Sequence, residues 1–412
     1  MELPDPDTVP RREYLRGLVA VGGAAALAAC LDSVDEGGVP TGDPDERPPS
    51  QHAWNDVLDT DEYGNIRSPE HRVLLALDLE GEPDQSDREQ VEAAFRSLER
   101  AYAHDPEGLL FNVGYAPSYF ETVGVEPPIP HPKPITNSEN PALDGFDTLV
   151  HLASDNPEVV LEAEEALLGE VSEPNGVEMS ATLAGVFERG QPRRTGFVGA
   201  GLPAQHTEMD AVPESIPEAA PFFMGFKSGF ANSQAPERRV TIQDGPYAGG
   251  TTTQIESLDL QLRSWFEQDD HFLRVAQLFS PAHAERGMVP GVGDELGNST
   301  DIEQFVDRTA ADASEGVVGH AQKAARARDE DGTPPLLRRD FNTVDGDFPG
   351  IHFLSHQRTI EDFVRVREAM AGEDLDSGVG QSHNNGILQY IFTNRRGNFL
   401  VPPRTKRSLP GL

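Results

Sequence analysis

The order of the apolar patterns in the first half of the chain constrains the fold more than any other feature. Between residues 68 and 205, short apolar runs typical of strands alternate with amphipathic stretches that begin at helix-capping residues. The predicted strands cover 71–79, 109–115 and 146–153, with one more between 176 and 197, and the predicted helices follow Ser86 and Asn156. Strand, helix, strand, strand, helix, strand is the order of a ferredoxin-like unit, an α+β fold with an antiparallel sheet.

The second half of the chain repeats this order more loosely. The predicted strands cover 251–256, 336–341 and 351–357, and the predicted helices cover 258–266, 271–279 and 360–370. A chain of 412 residues is long enough for two domains with separate cores. We therefore predict an N-terminal domain at 68–205 and a C-terminal domain at 206–412.

The N-terminal residues have the pattern of an export signal. Arg11-Arg12 resembles a twin-arginine signal, and the apolar run 17–29 is shorter than the ~20 residues that a membrane-spanning helix needs. The sequence Leu27-Ala28-Ala29-Cys30 resembles a lipobox. Residues 1–29 are therefore predicted to be a signal and Cys30 the lipidated first residue of the mature protein, with an unprocessed signal anchor as the alternative. Residues 30–67 are rich in Pro, Gly, Asp and Ser and are predicted to be a flexible tether.

The charge balance excludes nucleic acid as a natural partner. The chain has 70 acidic and 33 basic residues and a net charge of −37, whereas binding to nucleic acid depends on Lys and Arg neutralising phosphates. Abundant hydrated carboxylates are typical of proteins that work in high salt, where self-repulsion is screened, and we predict a halophilic protein. Disorder is the alternative, but the amphipathic periodicity argues against it. Cys30 is the only cysteine, which excludes an internal disulfide.

Two stretches of the second half carry residue types suited to a cofactor site. An aromatic run that begins at Phe222 leads into a turn framed by Gly225 and Gly229. Further along the chain, His320 lies in a run of small residues with helical spacing, and a short apolar strand then leads to Arg338. Such a histidine is more often structural than a ligand, so its position relative to other segments decides its interpretation.

These segments, together with others in the first half, resemble the dye-decolorising (DyP-type) peroxidases, a haem-protein family. The collinear matches cover most of the chain after residue 67, and they are the segments 109–120, 145–155, 225–229, 320–325, 337–341 and 353–357. Several short matches in the same order are more specific than any one of them. The resemblance implies two ferredoxin-like domains with antiparallel sheets in a dimeric α+β barrel-like arrangement, and haem b as the cofactor.

The resemblance also implies roles for individual residues. His320 aligns with the family's haem ligand, and a neutral imidazole is a usual axial ligand of ferric haem in peroxidases. Arg338 aligns with the distal arginine, which supplies positive charge near the bound peroxide. Gly225, Phe226 and Gly229 occupy the place of the family's GxxDG motif at the cofactor.

The sequence departs from the family pattern at one position that matters for chemistry. Ser228 stands where GxxDG has its aspartate, and a serine hydroxyl is a poor proton acceptor near neutral pH. Asp340 follows Arg338 by two residues, a spacing that places both side chains on one face of a strand, so Asp340 could present a carboxylate to the same pocket. Pairing of Asp340 with Arg339 or exposure to solvent is the alternative.

Several further residues carry secondary predictions. His356 is predicted to be a packing residue or a neighbour of the ligand rather than a ligand itself. Trp265 is predicted to be a surface residue that relays electrons. The C-terminal basic residues are predicted to pair with nearby acidic side chains in preference to haem propionates, and they are Arg395, Arg396, Arg404, Lys406 and Arg407. Residues 284–315, which include a glycosylation-type sequence at Asn298, are predicted to be a surface loop.

Two functions follow from these predictions. The first is an exported haem peroxidase, lipid-anchored on the outer face of the cell membrane, that uses hydrogen peroxide to oxidise a reducing substrate. The second is a non-catalytic or weakly active protein of the same fold that binds haem or serves as a cell-surface interaction protein. His320 and Arg338 favour the first, and Ser228 favours the second. An oligomer is compatible with both.

Overall fold

The computed structural model describes residues 38–289, 301–375, 379 and 384–412. The predicted export signal, Cys30 and the Asn298 sequence lie outside these residues. Within the described ranges, no helix has the length and apolar character needed to cross a bilayer. The predicted loop at 284–315 is only partly described, and its described C-terminal part is helical, with Ile302 and Phe305 buried.

The strands are named β1 to β11 in chain order. They are β1 His71–Leu79, β2 Leu110–Tyr115, β3 Ala142–Leu143, β4 Thr148–Ser154, β5 Phe187–Arg189, β6 Arg194–Phe197, β7 Thr251–Leu260, β8 Leu337–Arg338, β9 Phe341–Thr343, β10 Gly350–Gln357 and β11 Ile391–Val401. The predicted helix at 258–266 is wrong at its start, because residues up to Leu260 continue β7 and pair with β10 and β11. A single π-helical turn, Ser264–Gln268, follows.

The α-helices are named α1 to α9. They are α1 Gln85–Ala101, α2 Pro117–Thr122, α3 Pro157–Leu167, α4 Glu237–Val240, α5 His271–Leu278, α6 Pro281–Glu285, α7 Thr309–Ser314, α8 His320–Ala325 and α9 Ile360–Ala371. Asn156 with Pro157 begins α3, as the capping pattern predicts, whereas α1 is capped by the side chain of Asp84 and not by the predicted Ser86.

The strands form one sheet that closes on itself. Its order is β2-β4-β1-β6-β9-β10-β7-β11, and β11 pairs with β2 through Leu400 and Tyr115. These neighbours are antiparallel, so the fold is a mixed α/β fold with an antiparallel, barrel-like sheet. In each half of the chain, the four main strands lie in the order second, third, first, fourth. Backbone pairing between β6 and β9 and between β11 and β2 joins the two halves.

Alternation along the strands separates the outside of the barrel from its inside. Val73, Leu75 and Leu77 of β1 belong to a core cluster that includes buried residues of α1 and α3. Leu74 and Ala76 point the opposite way and join a second cluster, which contains residues from β4, β7, β10 and β11. The first half therefore packs its helices on the outer face of the sheet and leaves the inner face to the barrel interior.

The prediction of a flexible tether is wrong for residues 38–67, which pack against the folded chain. The Trp54 side chain is fully buried, and its indole N–H donates to the backbone carbonyl of Gln51 at 2.9 Å. The Gln51 side chain donates to the carbonyls of Val113 and Pro402, and accepts from the Val113 amide. The composition predicted the lack of long regular elements, but it could not show that this segment supplies buried side chains.

Candidate functional site

A largely apolar cavity lies in the second half of the chain, outside the barrel. Its walls come from α8, α9, the outward side chains of β7, β10 and β11, and the segment 222–233. Large apolar side chains dominate the lining, among them Phe226, Leu258, Phe279, Ile351, Phe353 and Phe363. Five residues predicted to form the site line this one cavity, and they are Phe226, Ser228, Gly229, His320 and Arg338. Asp340 lines it as well, whereas Gly225 does not contribute to the lining.

His320 is the first residue of α8, and tight packing fixes the start of this helix. Gly319 lies against the backbone of Phe279, and a Cβ at this position would overlap the Phe279 carbonyl oxygen. The buried Gln322 side chain accepts from the Gly319 amide and donates to Phe305 O at 2.8 Å and to Asp312 at 2.7 Å. These contacts hold the imidazole of His320 at the cavity wall.

The surroundings of His320 keep its ring neutral. Burial, followed by the positive charges of Lys323, Arg338 and Arg367, lowers the pKa of His320 to about 3. Its Nδ1 atom is buried and has no hydrogen-bond partner among the described residues. A neutral imidazole is the form that binds a metal ion. Histidine ligands usually donate their second ring nitrogen to a carboxylate or carbonyl, and no described residue supplies such a partner to His320.

A buried lysine lies one helical turn from this histidine. Lys323 is fully buried, and its ammonium group donates to the backbone carbonyl of Asn385 at 3.0 Å and to the Asn385 side chain. Burial, Arg367 and Arg326 lower the pKa of Lys323 to about 7. The sequence analysis did not single out Lys323, because a lysine in a short helix is ordinarily exposed.

Arg338 ends β8 and is held by the segment that follows the glycine-framed turn. Its amide donates to the Gln234 side chain at 2.8 Å, and its guanidinium donates to the Ser233 hydroxyl at 3.1 Å. Burial lowers the pKa of Arg338, Asp340 raises it, and Arg328 lowers it further. The side chain remains a cation at physiological pH, since arginine has no accessible neutral form there.

The turn at 225–229 requires its two glycines. Gly225 has φ +89° and Gly229 has φ +76°, values that side chains rarely adopt. Lys227 forms an ion pair with Asp61 at 3.0 Å, so the packed N-terminal segment holds this turn. Ser228 is thereby presented to the cavity beside Gly229.

Asp340 lines the cavity, but it does not lie on a continuous strand with Arg338 as predicted. The predicted strand at 336–341 is interrupted, since β8 ends at Arg338 and β9 begins at Phe341. Arg338 and Asp340 nevertheless line the same cavity, whereas Arg339 is buried elsewhere and donates to Asn55.

Three charged residues at the cavity were missed by the sequence analysis. Arg328, Arg367 and Glu256 all contribute to the lining. Arg367 is buried in α9, pairs with Glu139 at 2.8 Å, and has an Nη1 atom without a partner in the described chain. An arginine on the apolar face of an amphipathic helix is the one signal that could have pointed to it.

The secondary predictions have mixed outcomes. His356 is fully buried away from the cavity and hydrogen-bonds the Thr253 hydroxyl at 2.8 Å, which confirms packing. The prediction of a surface Trp265 is wrong, because this side chain is fully buried and donates to Met224 O at 2.9 Å. The preference of the C-terminal arginines for acidic partners is confirmed at Arg396, Arg404 and Arg407. No cluster of three His, Cys, Asp or Glu suited to a metal ion occurs among the residues described.

Comparison with known proteins supports the resemblance seen in the sequence. The model of a family of unknown function (DUF7405) matches residues 69–403. No curated protein matches the chain. Solved structures with the same fold include the DyP-type peroxidase of Cellulomonas bogoriensis, with 19% identity, a TM-score of 0.56, and coverage of 85% of this chain and 95% of that one.

Two further solved structures match to a similar extent. The dye-decolorizing protein from V. cholerae has 14% identity and a TM-score of 0.54, with 85% of this chain and 97% of that chain covered. A variant of DypB from Rhodococcus jostii in complex with haem has 13% identity and a TM-score of 0.54, with 88% of this chain and 98% of that chain covered. At these identities the likeness establishes the fold, which is that of the DyP-type peroxidases.

Proposed function

The chain belongs to the DUF7405 family and has the DyP-type fold, and we propose that it is a haem peroxidase that uses hydrogen peroxide to oxidise a reducing substrate. The observation that carries the proposal is the neutral His320 on the wall of an apolar cavity that also contains Arg338. His320 is at the start of a helix and Arg338 is at the end of a strand. The proposal assigns His320 the role of iron ligand and Arg338 the role of stabilising negative charge.

The residues around the cavity fit a haem group. The apolar side chains suit a flat macrocycle, and His320 can hold the iron because its ring is neutral. Arg328, Arg338 and Arg367 are cations that could pair with the two propionates, and the free Nη1 of Arg367 supports this role. Haem b is the expected form, because a chain with the single cysteine Cys30 lacks the paired cysteines of covalent attachment.

When bound, haem supplies the redox chemistry with peroxide, and the side chains govern charge and protons. The Arg338 guanidinium can donate hydrogen bonds to a peroxide oxygen and stabilise the negative charge that develops as the O–O bond breaks. Its own position is fixed by Ser233 and Gln234. The Ser228 hydroxyl can orient the peroxide or a water by a hydrogen bond, but it cannot take the proton efficiently.

The mechanism also needs a proton acceptor, and Asp340 is a carboxylate that lines the cavity together with Arg338. We propose that Asp340 takes the proton directly or through a water. Asp340 acts on the Arg338 charge, so the two groups are electrostatically coupled.

A weakly active or non-catalytic haem-binding protein, or a cell-surface interaction protein of the same fold, is the second candidate. The serine at position 228 favours it, because general base catalysis typically contributes about 10²–10⁴-fold to a rate.

We further propose the cellular setting from the sequence. Residues 1–29 would direct export by the twin-arginine pathway, and lipidated Cys30 would anchor the protein on the outer face of the membrane. The acidic composition supports a high-salt environment. The strand order shared by the two halves supports two ferredoxin-like units within the one barrel. An oligomer remains compatible with this proposal.

The first experiment is an absorption spectrum of the protein purified in molar salt after reconstitution with haem. We expect a Soret band that is lost in His320→Ala and retained in His206→Gln, a matched control, since His206 is also buried but does not line the cavity. In His320→Gly, added imidazole should restore the band.

The two candidates differ in their response to peroxide. A Soret band that shifts on addition of hydrogen peroxide, followed by oxidation of a dye, supports the peroxidase. A stable band without such a shift supports the weakly active haem protein. A chain that takes up no haem, or a band unchanged in His320→Ala, contradicts the proposed ligand.

A further inference from the structure

The interior of the barrel has a polar end that the haem proposal does not use. The apolar part contains Leu74, Leu149, Ile255, Leu354 and Phe399. Towards the other end, the inward positions are taken by Arg72, His151 and Asn112, on adjacent strands of the first half. All three are at most 1% exposed, so their hydrogen-bonding groups depend on partners inside the protein.

Arg72 is a fully buried cation, and no carboxylate in the described part of the chain compensates its charge. Its Nη1 atom lies 3.4 Å from Nε2 of His151, while Nε and Nη2 have no partner in the described chain. No carboxylate of the described residues forms an ion pair with it, and Asp155 and Asp340 act on it only from a distance. Burial and the charge of Arg339 lower the pKa of Arg72 to about 9. A buried charge left unpaired in this way is strongly unfavourable.

His151 and Asn112 add two unused donors beside Arg72. Because Nε2 of His151 faces a guanidinium N–H, it must accept, and the neutral ring therefore carries its proton on Nδ1. This Nδ1 atom is buried and unpartnered within the described residues. Asn112 is the direct cross-strand neighbour of His151, and its Nδ2 atom is also buried without a partner there.

A second cation closes the same end of the barrel. The guanidinium carbons of Arg72 and Arg339 lie 6.0 and 5.8 Å from the centre of the Trp54 ring. Arg339 lies 3.8 Å from Glu237, and its Nε atom has no partner among the residues described. The Trp54 ring also lies 5.2 Å from the ring of His151. The N-terminal segment around Trp54 thus covers a group of buried hydrogen-bond donors, and this group carries an excess of positive charge.

The remaining histidines at this end do not supply the missing negative charge. His52 faces the hydroxyl of Thr241, which already donates to Glu237 O, so His52 Nε2 donates and its Nδ1 is an acceptor. His356 pairs with Thr253 through Nδ1. Burial is the largest cause that lowers the pKa of both rings, which are therefore neutral at physiological pH.

We propose that the polar end of the barrel binds one small inorganic anion, of the size of chloride, between the guanidinium of Arg72, Nδ1–H of His151 and the side-chain amide of Asn112. The interior of an eight-stranded barrel is just wide enough for side chains or one small ligand. A halide accepts hydrogen bonds from several directions and neutralises Arg72. The anion would lie beneath the packed segment at Trp54, and Arg72, His151 and Asn112 do not line the proposed haem cavity.

The direct test is crystallography of the full chain from solutions of NaBr, with data collected at the bromine absorption edge. An anomalous peak within hydrogen-bonding distance of Arg72 and His151 is the expected result. An ordered water at this position, with no anomalous peak at molar bromide, would overturn the proposal.

Thermal unfolding supplies a second test that needs no crystals. At matched ionic strength, we expect the Tm of the unaltered protein to rise more in chloride than in gluconate, on the order of 2 °C per tenfold increase in concentration. Arg72→Met should abolish this difference, and Arg238→Gln, which removes one exposed positive charge, should preserve it. An equal response to both salts in the unaltered protein, or a chloride increment that survives in Arg72→Met, would contradict the site.

Discussion

Under the proposed peroxidase function, Ser228 is the residue with the largest expected effect on the rate of the reaction with peroxide. It sits beside Gly229 in a turn held by the Lys227–Asp61 ion pair, and it faces the same cavity as Arg338. Under the proposed alignment with the GxxDG motif, Ser228 takes the place of the aspartate, and the turn presents its side chain to the cavity. A short hydroxyl can donate or accept a hydrogen bond, but its high pKa prevents it from acting as a base without help.

Replacing Ser228 by aspartate should speed the reaction of the haem-loaded protein with peroxide. We expect an increase on the order of 10²-fold, because a positioned carboxylate would accept the peroxide proton. Stopped-flow absorption at the Soret band measures this rate. Ser228→Asn is the matched control, since the amide has the size of aspartate without its basicity, and it should remain slow. An equal rate in Ser228→Asp and the unaltered protein would show that the missing carboxylate does not limit the reaction.

At the scale of elements, the segment 38–67 has a structural role that its composition does not indicate. It has few regular elements, yet it holds the turn at Lys227 through Asp61 and places Trp54 over the barrel end. Arg47 extends it further, donating to the backbone carbonyls of Leu109 and Glu99. The segment therefore connects the two halves of the chain as a structural part of the fold.

The substitution Trp54→Ala should destabilise the protein by about 3–5 kcal/mol, the usual cost of removing a large buried aromatic side chain. Denaturant unfolding in constant molar salt measures the change in the free energy of unfolding. Tyr63→Ala serves as the control in the same segment, because Tyr63 is 41% exposed, and it should change this free energy by less than about 0.5 kcal/mol. If the Trp54→Ala protein were as stable as the Tyr63→Ala protein, the segment would not contribute to the stability of the fold, and the prediction of a flexible tether would hold.

At the scale of the whole molecule, buried histidines are a shared feature of both halves. The fold lowers the pKa of several of them, mainly through burial, and these are His52, His71, His104, His151, His206, His320 and His356. Their rings stay neutral in the native state at a pH where the unfolded chain, with a histidine pKa of about 6.5, gains protons. The unfolded state thus binds more protons, and acid favours it.

Stability should therefore fall as the pH decreases from about 6.5 to 5. Each fully buried neutral histidine contributes up to roughly 1.4 kcal/mol per pH unit in this window, and the contribution is fully present only above the unfolded pKa. Denaturant midpoints at several pH values in constant molar salt measure the slope. His131→Gln, which alters an exposed side chain, should leave the slope unchanged. A midpoint that stays constant between pH 7 and 5 would contradict the neutral state of the buried rings.

Local patterns in the sequence were sufficient for the order of elements and for part of the site. The apolar runs and capping residues predicted β1, α1, β2, β4 and α3 because the periods of strands and helices are set by neighbouring residues. The collinear segments predicted His320, Arg338, Ser228 and Phe226, and the structure brings these residues to one cavity. The same segments predicted the antiparallel, barrel-like α/β fold shared with DyP-type structures, whereas the division into two ferredoxin-like domains stays a prediction.

Only the tertiary structure decided which contacts form between segments that are distant in the sequence. Closure of the barrel depends on pairing of β2 with β11, and the burial of Trp54, Trp265 and Lys323 depends on neighbours far away in the chain. Composition could not distinguish a packed irregular segment from a tether, and helical spacing could not show that Arg367 faces a cavity. The sequence by itself thus determined which elements form and which residue types can do chemistry, because these depend on local pattern. Long-range packing decided which of these residues meet in space, and it also brought together the donors around Arg72 that have no partner among the described residues. No local pattern in the sequence contains this information.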